Sequence, residues 1–238
     1  MNEAETMKIC CIWEHNGKDT LLYAGDFPGA STRGETLDAA ISKMPAEICA
    51  YQRWAGLPKE TGKVEIVQEK DSDLAICDAD SDVLFENERK PLTMDEYQAL
   101  KQLVMKSAKD FQTLYDAIPD KQQSIRPVRK TFYGQVPRTA QEMYEHTKSV
   151  NDYYFGELGV EADHEGSIAE CRERGFAALE ETPDFLLMKP CEGSYGEEWS
   201  LRKVMRRFLW HDRIHAKAMV RMAKKTFGYD QVDDPFGF

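Results

Sequence analysis

Hydrophobic and polar positions alternate through the first seventy residues. Lys8-Ile9-Cys10-Cys11-Ile12-Trp13 and Thr20-Leu21-Leu22-Tyr23-Ala24 read as strands around a turn at His15-Asn16-Gly17-Lys18-Asp19. Phe27-Pro28-Gly29 supplies a second turn, and Ser31-Thr32 a brief extended piece. A helix is predicted to open at Glu35-Thr36 and to run through Leu37, Ile41, Met44, Ile48 and Tyr51 as far as Trp54. Pro45 inside it should kink or restart it. Residues 62–69 alternate again, with Val64, Ile66 and Gln68 on one face and Glu65, Val67 and Glu69 on the other. Strand, strand, short strand, helix, strand predicts an α+β domain over residues 1–72.

From Thr93 the period becomes helical. Tyr97, Leu100, Val104, Ser107, Phe111, Leu114 and Ile118 recur at alternating steps of three and four, a core-facing seam. Thr93 with Glu96 forms a capping box at its start, and Pro119 marks its end. A polar linker from Asp120 to Pro137 leads to a second helix predicted over 138–157, with Met143, His146, Val150 and Tyr153 on its seam. A third helix is predicted over 167–181 through Ile168, Cys171, Gly175 and Leu179. The fourth, over 197–227, carries Val204, Phe208, His211, His215, Ala218 and Met222 on one stripe and stops at Gly228. These four amphipathic helices predict an all-α four-helix bundle over residues 93–230.

Composition narrows the function. Of the 238 residues, 42% are hydrophobic and 31% charged, enough for a packed core and too apolar for global disorder. Apolar runs such as Leu21–Ala24 fall far short of a bilayer span, and Glu3 and Glu5 stand where a secretory leader carries basic residues. A cytoplasmic protein without a membrane partner is expected. The net charge is −11, and residues 1–90 hold ten basic against eighteen acidic side chains, which opposes nucleic-acid binding. Seven acids and no base lie between Asp71 and Glu88, so residues 73–92 read as an acidic, solvated linker between the two domains. Cysteines 10, 11, 49, 77, 171 and 191 form no C-x-x-C and read as buried thiols, with Cys191 in a loop the one to test for reactivity.

Only five histidines are present, and three fall where a bundle places apolar side chains. His211 and His215 sit one turn apart on the seam of the fourth helix, and His146 lies on the seam of the second. Each buried imidazole nitrogen needs a partner, which one divalent metal supplies to all three rings. Zinc and nickel suit such a set, as do copper and iron(II). The plain alternative is core histidines satisfied by carboxylates or carbonyls. Glu142, one turn before His146, is a candidate base or ring-orienting group, and Arg207, one turn before His211, a candidate holder of a substrate carboxylate.

Two resemblances add to this reading. The segment Phe27-Pro28-Gly29-Ala30-Ser31-Thr32-Arg33-Gly34-Glu35-Thr36-Leu37-Asp38-Ala39-Ala40 resembles the stretch after the second strand of HicB-like domains, which have a β-β-β-α-β layout related to the ribonuclease H fold. The antitoxins of that family add a DNA-binding domain that has no counterpart here, so only the fold is carried over. Residues 198–215, from Glu198-Trp199-Ser200 to His211-Asp212-Arg213-Ile214-His215, are similar to the final-helix signature of the DinB-like (YfiT-type) metalloprotein superfamily. Thr139-Ala140-Gln141-Glu142-Met143-Tyr144-Glu145-His146 resembles its second-helix ligand segment.

The second resemblance implies His146, His211 and His215 as metal ligands and a metal-dependent enzyme. Characterised relatives include thiol-dependent S-transferases, so a low-molecular-weight thiol is the implied partner and a hydrolase the other reaction such a site could run. Relatives also pair, which implies a homodimer. The alternative from another class is a protein-interaction scaffold, with a HicB-like docking domain and a structural bundle.

Overall fold

β1 (Lys8–Asn16) and β2 (Asp19–Ala24) form an antiparallel hairpin in which Trp13 faces Leu22 and Asn16 faces Asp19. The computed structural model describes residues 8–59, 62–228 and 232–238. Gly17, at a φ of 57°, takes the left-handed position of the hairpin turn that a side chain would disfavour. β3 (Ser31–Gly34) pairs antiparallel with β2, α1 (Leu37–Ala55) crosses over, and β4 (Lys63–Asp71) returns parallel to β1. The sheet order is β3-β2-β1-β4. Ile9, Cys11, Leu21 and Tyr23 of the sheet and Ala40, Met44, Ile48 and Tyr51 of α1 are buried. On β4, Val64, Ile66 and Gln68 are half-buried, while Glu65, Val67 and Glu69 are exposed, as the alternation predicts.

Two expectations meet the structure in this part of the chain. Pro45 does not restart α1, which runs unbroken from Leu37 to Ala55. It lies on the exposed side, where solvent can satisfy the carbonyl that loses its helical donor.

Residues 73–92 are also not a solvated linker. Ile76, Ser81, Val83, Leu84 and Phe85 are buried. The Tyr23 hydroxyl lies 2.7 Å from Ser81 Oγ, which in turn donates to the buried Glu14 carboxylate at 2.5 Å. The Asp82 and Val83 amides donate to the same carboxylate at 3.1 and 3.3 Å. Gln68 donates to the Leu84 carbonyl and accepts from the Glu86 amide, both at 2.9 Å. The acid count hid the apolar residues set between the acids: these pack, while Asp71, Asp73 and Glu86 stay exposed. The first compact unit closes at Glu86 and the second begins at Asn87.

The second unit is mostly helical. α2 (Met94–Ala117) starts at the predicted capping box, with the Thr93 hydroxyl accepting from the Glu96 amide and the Glu96 carboxylate accepting from the Thr93 amide. Tyr97, Val104, Ser107, Phe111 and Leu114 form its buried seam. The segment after it contains a short hairpin, β5 (Lys130–Thr131) and β6 (Gly134–Gln135), closed by the Val136 amide on the Arg129 carbonyl at 2.9 Å.

The predicted second helix is two helices, α3 (Ala140–Lys148) and α4 (Val150–Gly156), parted at Ser149, where ψ opens to −12°. α5 (Ile168–Glu180) follows a third capping box, made by Ser167 and Glu170. A Cβ on its Gly175 would run into the Phe155 ring, so glycine permits the close approach of α4 and α5. β7 (Cys191–Glu192) pairs with β8 (Glu198–Trp199), and this ladder delays the last helix to α6 (Leu201–Phe227), four residues after its predicted start. α6 packs on α2, α3 and α4. No helix among the described residues is long and apolar enough to cross a membrane.

Candidate metal centre

Local sequence sets each histidine in place. Thr139 caps α3, and the buried Met143 and Thr147 turn its inner face to the core, which brings His146 to the edge of that face. On α6, the buried Val204, Phe208, Met219 and Met222 fix the rotation of the helix, so His211 and His215 follow each other along the inward stripe. The three rings converge: His146 lies 5.1 Å from His211 and 4.7 Å from His215 between ring centroids, and His211 lies 4.5 Å from His215. One nitrogen from each ring falls within 4.8 Å of the other two. His211 is 7% exposed and the other two are half-buried.

Burial lowers the pKa of all three rings, furthest for His211 and His215, where neighbouring positive charge adds to the effect. Neutral imidazoles at neutral pH present lone pairs, which a cation requires. His211 Nδ1 is buried with no hydrogen-bond partner, and none of the three rings hydrogen-bonds to another described residue. A buried polar atom left so costs about 1–3 kcal/mol unless something binds it. An all-imidazole donor set on three neutral rings fits a divalent transition ion better than calcium or magnesium, which take oxygen.

The surroundings differ on the two sides. Lys203, Arg207, His211 and His215 follow one another every four residues along α6. The Arg207 guanidinium is held among the rings of Trp210, Tyr154 and Trp199, at 4.9, 5.6 and 5.7 Å from their centroids, and its charge reaches His211. Lys203 is fully buried, 2.9 Å from the Glu197 carboxylate, and burial lowers its pKa to about 8. Tyr154 and Phe208 form the apolar floor, the Tyr154 ring standing edge-on to His211 at 6.2 Å. On the outer side the Tyr133 ring, from the β5–β6 turn, stacks on His146 at 6.0 Å.

Of the predicted groups, the structure brings His146, His211 and His215 together and places Arg207 beside His211. Glu142 has a different role. Its carboxylate accepts from the Arg138 and Thr139 amides at 2.6 and 3.1 Å, completing the cap of α3, so its lone pairs serve the helix start and not His146. Cys191 is exposed, and burial of its sulfur pushes the thiol pKa up, so it lacks the thiolate character of a reactive cysteine.

Sequence reasoning missed three groups. Arg172 and Asp212 form a fully buried ion pair behind the histidines. Tyr133 lies in a stretch read only as polar linker, where the adjacent aromatics Phe132-Tyr133 were the available signal. Compared with protein-family models, curated proteins and solved structures, the chain matches none of them.

Proposed function

We propose that the chain is a metal-dependent enzyme of the DinB-like type. In this reading the helical half is a four-helix bundle that holds a divalent ion, zinc or nickel, on His146, His211 and His215, and the reaction is thiol-dependent S-transfer. The single observation that carries the reading is the convergence of three imidazoles, one nitrogen of each within 4.8 Å of the others and no ring hydrogen-bonded to another described residue, from α3 and α6. Bound there, a divalent ion supplies Lewis acidity that brings the pKa of a coordinated thiol or water toward neutrality.

The chain's own residues do the rest. Three neutral ligands leave the ion its full charge, and fewer than four protein ligands is the pattern of a site open to a small molecule. The Tyr154 and Phe208 rings keep water from the inner side, and the buried Arg172–Asp212 pair holds α6 in the rotation that presents both of its histidines. Arg207 adds a fixed positive charge one turn from His211.

The run of elements over residues 8–71, three strands, a helix and a strand, supports a HicB-like layout, and we assign it no role on nucleic acid, given ten basic against eighteen acidic side chains in residues 1–90. The buried Glu14 belongs to the packing of residues 81–83. We further propose a cytoplasmic homodimer, supported by the exposed Met94 on α2. Sedimentation as a monomer at tens of micromolar rejects the dimer.

The enzymatic reading is tested with metal-loaded protein, a panel of small thiols and an alkylating electrophile. Saturable thiol consumption that disappears in His211→Ala supports it. Tight metal binding with no turnover, and loss of helical content on chelation, favours a structural metal in an interaction scaffold.

A further inference from the structure

The β5–β6 hairpin carries two aromatic rings to the three-histidine site. Its strands pair Lys130 with Gln135 and Thr131 with Gly134, which leaves Phe132 and Tyr133 at the tip. Hairpin tips usually hold glycine or polar residues, which adopt the left-handed backbone readily and are at ease in water. Here Gly134 takes that conformation, at a φ of 109°, while the two tip residues keep negative φ. The turn therefore closes without needing aromatic side chains, and their presence there has another physical reason.

The rings supply it. Tyr133 lies 6.0 Å from His146 between centroids, with the planes 23° apart, so its face covers one side of that imidazole. Phe132 stands edge-on to Tyr133, at 5.0 Å and 89°. Together they form a corner in which a third flat ring can stack on one and meet the other edge to face. Both stay open to solvent, Phe132 at 63% and Tyr133 at 43% exposure. The opposite side of the site is floored by the buried Tyr154 and Phe208. A molecule that reaches the imidazoles therefore comes from the side of the half-buried His146 and its Tyr133 cover.

We propose that Phe132 and Tyr133 receive a flat apolar ring on the small molecule whose sulfur lies at His146, His211 and His215, so that the site selects aromatic thiols over short aliphatic ones. The proposal rests on the three histidines being a metal centre that takes a thiol, and its test separates the two.

Full-length protein loaded with cobalt(II) is titrated with phenylmethanethiol and, separately, with ethanethiol, following the sulfur-to-cobalt absorption. The quantity read is the ratio of the two affinities, compared between proteins so that intrinsic differences between the thiols cancel. Phe132→Ser/Tyr133→Ser should lower the wild-type ratio about tenfold, the scale of aromatic contact in such a corner, with ethanethiol affinity unchanged. Tyr133→Phe, which keeps the ring, should keep the ratio. Cobalt stoichiometry and far-ultraviolet circular dichroism confirm that each variant is folded and loaded. A ratio unchanged in the double variant, or equal weakening of both thiols, overturns the assignment of the two rings and leaves the metal centre standing. Failure of cobalt to bind, or of both thiols to alter its spectrum, overturns the metal reading and the assignment with it.

Discussion

Arg172 donates to Asp212 through Nη1 at 2.6 Å and Nη2 at 3.3 Å, with both side chains fully buried and Asp212 next in sequence to His211. The same guanidinium lies 4.2 Å from the centre of the Phe208 ring, one turn earlier on α6. Burial pushes the Asp212 carboxyl pKa up, and the Arg172 charge opposes that rise. Removing one partner leaves the other charge stranded, at a cost of about 3–5 kcal/mol. Chemical denaturation of Arg172→Met and of Asp212→Asn should show such losses, and Arg172→Met combined with Asp212→Leu should be more stable than Arg172→Met alone. A loss below about 1 kcal/mol in both single variants would mean the pair does not hold α6.

Stability of the metal-free protein should fall with acid. Burial holds all three histidines below the pKa of about 6.5 of an exposed imidazole. Below that pH the unfolded chain takes up protons that the folded chain refuses, so the stability present above it declines as pH falls toward the lower folded values. Melting temperatures of chelator-treated protein should drop between about pH 7.5 and about pH 5.5, and more steeply than in His211→Asn/His215→Asn. A flat profile in the parent protein would contradict the burial of these rings.

The cap of α3 separates structure from catalysis. Thr139→Ala should cost about 1 kcal/mol in denaturant titration, the usual loss at an N-cap. Glu142→Gln should leave thiol turnover and its pH profile unchanged, because the Glu142 carboxylate is engaged with the Arg138 and Thr139 amides. A displaced pH profile in Glu142→Gln would restore it as a base.

In the first unit, Glu14→Ala should strip the acceptor from Ser81 Oγ and from the Asp82 and Val83 amides together. Each buried donor left without an acceptor costs about 1–3 kcal/mol. Hydrogen exchange should show residues 76–85 losing protection in this variant. Unchanged protection would mean that the segment stays docked by its apolar residues alone.

The legible parts of this chain were those written in local periodicity. The β1–β2 hairpin, the crossover helix, the alternation of β4 and the capping box of α2 all followed from neighbours in sequence. The histidine trio was legible because polar residues stood on seams otherwise apolar. The break at Ser149 was hidden, since the seam of the predicted helix runs through Val150 and Tyr153 without losing phase. Ile76, Val83, Leu84 and Phe85 were hidden by the acids around them, and their burial depends on long-range partners at Glu14, Tyr23 and Gln68. Tyr133 reaches the site from a segment without periodicity, and only its stacking on His146 reveals it.

The central claim is that His146, His211 and His215 hold one divalent ion, and elemental analysis of untagged protein purified without added metal tests it most directly. The account predicts about one equivalent of a transition ion per chain, as one three-histidine site requires. His215→Ala should lose most of that metal while its far-ultraviolet circular dichroism stays close to wild type. Protein that neither retains metal nor takes up zinc or nickel on titration, or a His215→Ala variant with full metal content, would contradict the claim.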